Sequence, residues 1–260
     1  MHTLGIDIGS ASSKAVIFGM DGIVAQAIIE TGPESRGSAE AVISMVLAEA
    51  DMKPDQMAFV IATGYGRINV PFADEIITEI ACHAKGVHYL FPDARTVLDM
   101  GGQDCKAIRV GPDGSHINFS MNDKCAAGTG RFLEIMSVQL AVPLDQIGRL
   151  SLQADQDAKI SNVCTVFART EVSRQLRRGQ SKANILGGVH AATADRSYSL
   201  LKRVGIEADF VISGGIAKNI GVVRRVEDRV GLPAHISEEP QIIGALGAAI
   251  FARERVQTQS

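Results

Sequence analysis

The sequence predicts an α/β protein built from a duplicated domain, because a strand, a glycine turn and a second strand occur twice and the order of elements restarts with the second copy. The two copies are Asp7-Ile8-Gly9-Ser10-Ala11-Ser12-Ser13-Lys14-Ala15-Val16 and Asp99-Met100-Gly101-Gly102-Gln103-Asp104-Cys105-Lys106-Ala107-Ile108. In each, an apolar run ends in aspartate and a Lys-Ala-aliphatic sequence follows at the same spacing. We therefore expect an N-terminal domain over residues 1–93 and a C-terminal domain over 94–260, with a cleft between them.

The first half begins with three strands, predicted over residues 3–9, 14–20 and 23–29, with an Asp-Gly hairpin turn between the last two. A helix follows, with Ser38 as its N-cap and its end before Pro54. A buried strand is expected over 57–63 and a helix over about 73–89.

The second half repeats this beginning with strands over 96–100 and 106–110. Helices are predicted over 129–140, 165–177 and about 184–203, and a short strand over 209–212 precedes a helix from about residue 217. The final helix, from Gln241 to Arg253, is rich in glycine and alanine. Small residues imply close packing, so we expect the segment 241–255 to pack back across the two domains.

Composition excludes several classes of function. With 260 residues and 46% hydrophobic content the chain can fill a large core, and Lys plus Arg (26) against Asp plus Glu (29) leaves a formal charge of -3 without a basic stripe. Nucleic acid is therefore not an expected partner. No signal-like start or apolar span is evident, so we expect no membrane association and a cytoplasmic location.

Each copy of the repeated phrase has the chemistry of a phosphate loop. Glycine lets the backbone approach a ligand with its N–H groups, and a carboxylate at a strand end can hold a hydrated metal ion. A single copy is also compatible with an ordinary hairpin, but two matching copies favour a polyphosphate site. Ser213-Gly214-Gly215 follows an apolar strand and is compatible with adenosine or ribose binding or with a plain strand-to-helix turn.

Two of the four cysteines stand just ahead of predicted helices, Cys125 and Cys164. A helix N-terminus stabilises a thiolate or an anionic iron-sulfur cluster, although small buried residues are the plainer alternative. Cys105 lies inside the second turn, and we place Cys82 on a helix face opposite its apolar stripe. Because a cubane cluster takes four thiolates, two ligands per chain suggest a two-fold dimer that shares one cluster.

The residues resemble a known family. Asp7 to Ser10, Asp99 to Asp104 and Ser213 to Gly215 are similar to the phosphate and adenosine motifs of the actin, sugar kinase and Hsp70 ATPase superfamily. Asn122 to Glu134 and Cys164 to Ala168 resemble the ATP-dependent activators of 2-hydroxyacyl-CoA dehydratases. The resemblance implies duplicated actin-like (ribonuclease H-like) ATPase lobes, with ATP or ADP and Mg in the interlobe cleft. It also implies a homodimer with one 4Fe-4S cluster held by Cys125 and Cys164 of each subunit.

The resemblance also implies roles for individual residues. Asp7 would hold magnesium through water, and Gln103 or Asp104 would position the attacking water, with Asp99 as a further catalytic carboxylate. The implied nucleotide-binding residues are Gly9, Ser10, Ala11, Ser12, Ser13, Lys14, Gly101, Gly102, Gln103, Gly214, Gly215 and Gln241.

The implied function is an ATP-hydrolysing electron donor that activates a 2-hydroxyacyl-CoA dehydratase or a related iron-sulfur acceptor, supplied by reduced ferredoxin or flavodoxin. Closure on ATP is expected to shift the helices that follow Cys125 and Cys164, because hydrolysis drives transfer only if the two nucleotide states differ in geometry or partner binding. Two alternatives stay open: a small-molecule kinase of the same superfamily, and a nucleotide-gated redox regulator.

Overall fold

A computed structural model describes residues 1–122 and 126–259 and divides the chain into two compact units. Unit 1 comprises Met1–Ala94, Val110–Ile117 and the chain from Ser237 onward, and unit 2 comprises Arg95–Arg109 and Asn118–Ile236. The single boundary that the sequence predicts at residue 93 stays a prediction. The final helix belongs to unit 1 together with the N-terminal strands.

The sheet of unit 1 has the strand order β3-β2-β1-β4-β5. Its strands are β1 (His2–Ile8), β2 (Ser12–Phe18), β3 (Ile23–Glu30), β4 (Met57–Thr63) and β5 (Glu75–Ile76). β1 runs antiparallel to β2 and parallel to β4, in a register that sets Asp7 opposite both Lys14 and Thr63. The first copy of the repeated sequence is thus a tight β1–β2 hairpin with Asp7 beside Lys14.

Helices cover both faces of this sheet: α1 (Ser35–Glu49) on one side, and α2 (Glu79–Leu90) with α8 (Ile243–Gln259) on the other. The alternation of β2 separates the two faces, because Ala15 and Ile17 cluster with α1 whereas Val16 and Phe18 cluster with α8. Glycine brings α8 very close to its neighbours. A Cβ atom at Gly5 would overlap the Ala245 carbonyl oxygen.

The second sheet, whose residues lie mainly in unit 2, repeats the arrangement with the strand order β10-β9-β6-β7-β8. Its strands are β6 (Thr96–Met100), β7 (Cys105–Val110), β8 (His116–Asn122), β9 (Phe210–Ser213) and β10 (Ala234–His235). β6 is antiparallel to β7 and parallel to β9, and Asp99 lies opposite both Lys106 and Ser213. The register around Asp99 matches that around Asp7, so the duplication predicted from the sequence extends to the parallel strand beside each hairpin, β4 or β9.

The helices of unit 2 are α3 (Gly130–Leu140), α4 (Leu144–Ser151), α5 (Thr165–Arg177), α6 (Lys182–Val204) and α7 (Ile220–Val230). α6 contributes Ile185, Leu186 and Val189 to the buried core. Gly187 and Gly188 bring the 157–158 segment onto α6, since a Cβ atom at either would overlap Asp157 or Ala158. Within 1–122 and 126–259, no helix combines the length and the hydropathy that crossing a membrane requires.

The expected helix over 73–89 begins only at Glu79, because Glu75 and Ile76 pair with Ile61 and Ala62 of β4. Apolar residues at 76 and 77 fit a helical period as well as a strand. Ser38 is not an N-cap: Glu34 holds that position, and the Ser38 hydroxyl donates back to the Glu34 carbonyl within the first turn.

Other differences concern short elements. β8, α4 and β10 were not predicted from the sequence. α7 begins later than predicted, because Gly215–Lys218 forms a 3-10 turn before the helix. Gln241 precedes α8 rather than lying in it. These segments are short or irregular, so periodicity carries little information about them.

Glycine-to-alanine substitutions in α8 and in α1 should have very different effects on stability. Gly247→Ala should lower the free energy of unfolding by about 3 kcal/mol or more, because the new methyl group would overlap the backbone of Cys82. Gly37→Ala, in α1 with nothing within 4 Å of the new Cβ, should raise it by up to about 1 kcal/mol. Urea unfolding followed by circular dichroism measures both, and equal effects of the two substitutions would contradict the packing described.

Candidate functional site

The first phosphate loop is a hairpin closed by one backbone hydrogen bond and one ion pair. The Gly9 amide donates to the Ser12 carbonyl at 3.1 Å, and Lys14 Nζ lies 3.2 Å from Asp7 Oδ2. Asp7 is only 5% exposed. Two glycines enclose its carboxylate, because a Cβ at Gly64 would overlap Oδ1 and one at Gly244 would lie 3.1 Å from Oδ2. The carboxylate therefore has a single defined position at the end of β1.

The loop between these residues has both open and inward-facing positions. Ser10 and Ala11 form its accessible tip, whereas Ser13 is fully buried and its hydroxyl bonds to Thr31. Ser13 can therefore offer a ligand only its backbone. Gln241 Nε2 lies 3.5 Å from Ser12 Oγ, which brings the residue before α8 to the first loop.

The second loop has the same closure and one more carboxylate. The Gly101 amide donates to the Asp104 carbonyl at 3.0 Å, as Gly9 does to Ser12. Asp104 replaces Ser12, and its Oδ2 lies 2.7 Å from Lys106 Nζ. Lys106 is almost fully buried and also lies 3.5 Å from Asp99 Oδ2. With one ammonium between two carboxylates, this group keeps a net negative charge when all three are ionised, which suits a cation or a polarised water.

The third motif orients the second aspartate. Ser213 Oγ donates to Asp99 Oδ1 at 2.8 Å, and Gly214 follows with a φ of +82°. A Cβ at Gly214 would overlap the Met100 carbonyl oxygen and lie 3.0 Å from Asp99 Oδ1, so only glycine fits. Gly215 then begins the 3-10 turn. The strand end therefore has a packing role at Asp99 besides any contact with a nucleotide.

Sequence reasoning missed the first-half counterpart of this motif. Thr63-Gly64 ends β4 as Ser213-Gly214 ends β9, and both glycines have positive φ values, +87° and +82°, beside the loop aspartate. A hydroxyl residue followed by glycine at the end of a parallel strand is the shared signal. It could have been found by extending the repeat beyond its first hairpin.

The described thiols differ sharply in accessibility. Cys164 is half-buried and occupies the N-cap of α5, as the sequence predicted, whereas Cys125 lies outside the described residues. Cys105 is fully buried in β7, and burial raises the pKa of its thiol to about 12. Burial has the same effect on Cys82, which also has a pKa of about 12. Among the thiols that the structure describes, Cys164 is thus the accessible candidate ligand.

The expectation that Cys82 lies outside the apolar face of α2 is wrong. Cys82 is fully buried because α8 packs on that side of the helix, with Gly247 against the Cys82 backbone. In residues 1–122 and 126–259, no group of three or more His, Cys, Asp or Glu side chains could hold a metal ion. The described part of one chain therefore lacks a complete ligand set for a cluster.

The second phosphate loop is bonded directly to the segment that follows Cys125. The amide of Gly130, the first residue of α3, donates to the Gly101 carbonyl at 3.0 Å, and that of Arg131 donates to the Gly102 carbonyl at 2.7 Å. A Cβ at Gly130 would lie 3.3 Å from the Gly102 Cα. A displacement of this loop must therefore move the start of α3 or break both bonds.

The chain matches a family of ATPases over almost its whole length. The model of the BadF/BadG/BcrA/BcrD ATPase family matches residues 4–252. The chain belongs to this family. The activator of lactoyl-CoA dehydratase from Anaerotignum propionicum is 49% identical over 99% of this chain and 99% of that protein.

Solved structures agree with this membership. The activator of the 2-hydroxyisocaproyl-CoA dehydratase from Clostridium difficile, with bound ADPNP, has a TM-score of 0.94 and 38% identity, covering 100% of this chain and 97% of that one. A ROK family glucokinase from Streptomyces griseus, in complex with glucose and AMPPNP, has a TM-score of 0.59 at 14% identity, covering 98% and 100% of the two chains. The latter likeness shows the fold alone. The predicted duplicated actin-like α/β fold and the predicted family are confirmed.

The difference in thiol accessibility predicts selective alkylation. In native protein treated with a metal chelator at pH 8, iodoacetamide should modify Cys164 and leave Cys82 and Cys105 unmodified. A thiol with a pKa of about 12 is ionised in only about one molecule in ten thousand at this pH. Mass spectrometry of tryptic peptides measures the modification, with denatured protein as the positive control. Equal rates at Cys105 and Cys164 would contradict the assignment.

Proposed function

We propose that this protein hydrolyses ATP to drive low-potential electron transfer into a 2-hydroxyacyl-CoA dehydratase. Membership of an ATPase family supports the hydrolysis, and relatives similar over nearly their whole length are activators of such dehydratases by name. A reduced ferredoxin or flavodoxin is the proposed electron source. The three described cysteines form no disulfide with one another, which fits the reducing cytoplasm that we propose as the location.

Each phosphate loop offers a carboxylate and backbone donors that suit the phosphates of a nucleotide. Asp7, held by Lys14, would orient a water on a magnesium ion, and residues 10 to 14 would line the phosphates. In the second loop Asp104 is tied to Lys106, whereas the Gln103 side chain is exposed. Gln103 is therefore the better candidate for orienting the attacking water, with Asp99 and Asp104 providing the negative environment around it.

The thiols fit a cluster that two subunits share. Cys164 is accessible at a helix N-terminus, where the backbone dipole stabilises a thiolate, and buried Cys82 and Cys105 are unsuitable ligands. With Cys125 as the second thiolate, two chains supply the four that a 4Fe-4S cluster needs. Such a cluster stores and transfers one electron at low potential. Val163, Val166 and Phe167 around Cys164 are 67%, 68% and 62% exposed, and a homodimer that shares the cluster would cover them.

The backbone bonds between the second loop and α3 connect hydrolysis to electron transfer. Loss of the γ-phosphate changes the ligand of the 101–103 loop. Gly130 and Arg131 carry that change to the segment after Cys125. Because the two nucleotide states then place this thiolate segment differently, ATP can bias the exposure of the redox centre toward the acceptor.

The accessible Cys164 at the start of α5 is the structural observation that supports electron transfer, in addition to family membership. Protein purified without oxygen should contain about four irons per dimer and give a reduced-cluster EPR signal after dithionite treatment. Cys164→Ser should lose both the iron and the signal. The signal is the direct readout, because iron alone could bind adventitiously.

Cys105→Ser is the matched control, since it removes a buried thiol and should keep the iron and the EPR signal. An iron-free wild-type dimer with normal ATP hydrolysis would contradict the electron-transfer proposal. It would favour a kinase or another ATP-dependent activity on the same fold.

A further inference from the structure

The guanidinium of Arg196 contacts both segments that carry the proposed thiolate ligands. Arg196 lies on α6, and its Nη1 donates to the carbonyls of Asn162 at 2.7 Å and Val163 at 3.3 Å. These two residues directly precede Cys164. From the same side chain, Nη2 lies 3.4 Å from Oδ1 of Asn122, the last residue of β8 and close in sequence to Cys125.

Asn122 extends this contact across the second segment. Its Nδ2 donates to the Ala127 carbonyl at 3.2 Å, so one amide side chain joins the residues on either side of 123–125. Gly128 then packs on the aliphatic stem of Arg196, because a Cβ at Gly128 would lie 3.2 Å from the Arg196 Cβ. Arg196 thus contacts this segment through both its charge and its stem.

The position on α6 makes Arg196 a rigid reference point. The neighbouring Ser197 is buried, and its hydroxyl donates to the Thr193 carbonyl at 3.1 Å. Leu200 and Leu201 also belong to the core of unit 2. The two terminal nitrogens of the planar guanidinium contact the two segments separately, whereas a lysine has a single donor nitrogen.

We infer that Arg196 is a positioning residue that sets the separation of the two thiolate-bearing segments and thereby the stability and electronic signature of the cluster. This inference rests on the proposed function for the presence of the cluster. The bridge between the segments is a separate property of the chain. Outer-shell contacts of this kind orient metal ligands and typically change metal affinity by about 10–100-fold when removed.

The first test uses cluster-free full-length protein, so that it does not depend on iron. Hydrogen–deuterium exchange should be at least about tenfold faster in Arg196→Ala than in wild type in residues 116–122 and 126–130 and in residues 158–164 together, because both lose a shared anchor. Arg229→Ala is the matched control. It removes the 2.7 Å ion pair with Asp195, the neighbour of Arg196 on α6, and should leave both segments unchanged.

The second test uses the loaded dimer. Iron release to a chelator should be about 10–100-fold faster in Arg196→Ala than in wild type, with a broadened EPR signal. Arg196→Lys should give an intermediate release rate, because an ammonium reaches the Asn162 carbonyl or Asn122 but not both. If wild type, Arg196→Lys and Arg196→Ala have equal melting temperatures, a general loss of stability cannot explain this order of iron-release rates.

The possible outcomes separate the two proposals. Unchanged exchange in either segment of Arg196→Ala, or unchanged iron release and EPR signal, would overturn the role of Arg196. If wild-type protein holds no iron, the proposed function fails, and the exchange measurement still decides whether Arg196 joins the two segments. If Arg196→Ala does not fold, Arg196→Lys provides the same comparison with the charge retained.

Discussion

The buried ammonium of Lys106 is the contact on which the geometry of unit 2 depends. It lies between Asp99 and Asp104 with almost no exposure to water, and an unpaired charge at such a site costs several kcal/mol. The two ion pairs of Lys106 therefore fix the loop between the two aspartates. That loop presents the Gly101 and Gly102 carbonyls to the first amides of α3. The position of α3, and with it the segment after Cys125, follows from a charge contact at the strand end.

The two halves share a strand register but differ in the charge of their loops and in the helices that follow. The first loop has Ser12 where the second has Asp104, so the first keeps a balanced Asp7–Lys14 pair and the second an excess of negative charge. Beyond the hairpins, β3 and α1 follow in unit 1, whereas unit 2 places α3 to α6 between β8 and β9. Those additional helices carry Cys164 and Arg196. The second half thus combines the same strand-and-loop frame with four further helices.

Sequence patterns predicted the features that are local in the chain. Both hairpins, their Asp–Lys spacing, and Cys164 before a helix depend on residues close in sequence. The burial of Cys82 could not be predicted, because the element that covers it is α8 at the other end of the chain. Arg196 was missed for the same reason: its partners lie 34 and 74 positions away, and an arginine on a helix has no distinguishing local pattern. The short strand β5 was not predicted, because two neighbouring apolar residues fit the period of a helix as well as that of a strand.

We propose that ATP hydrolysis at these loops controls electron delivery. This coupling can be measured by stopped-flow oxidation of the reduced wild-type protein by a purified 2-hydroxyacyl-CoA dehydratase, followed by cluster absorbance. We expect rapid oxidation with MgATP, little with MgADP, and loss of the MgATP response in Asp7→Asn while the cluster stays bound. Oxidation at the same rate with either nucleotide, or in Asp7→Asn, would contradict it.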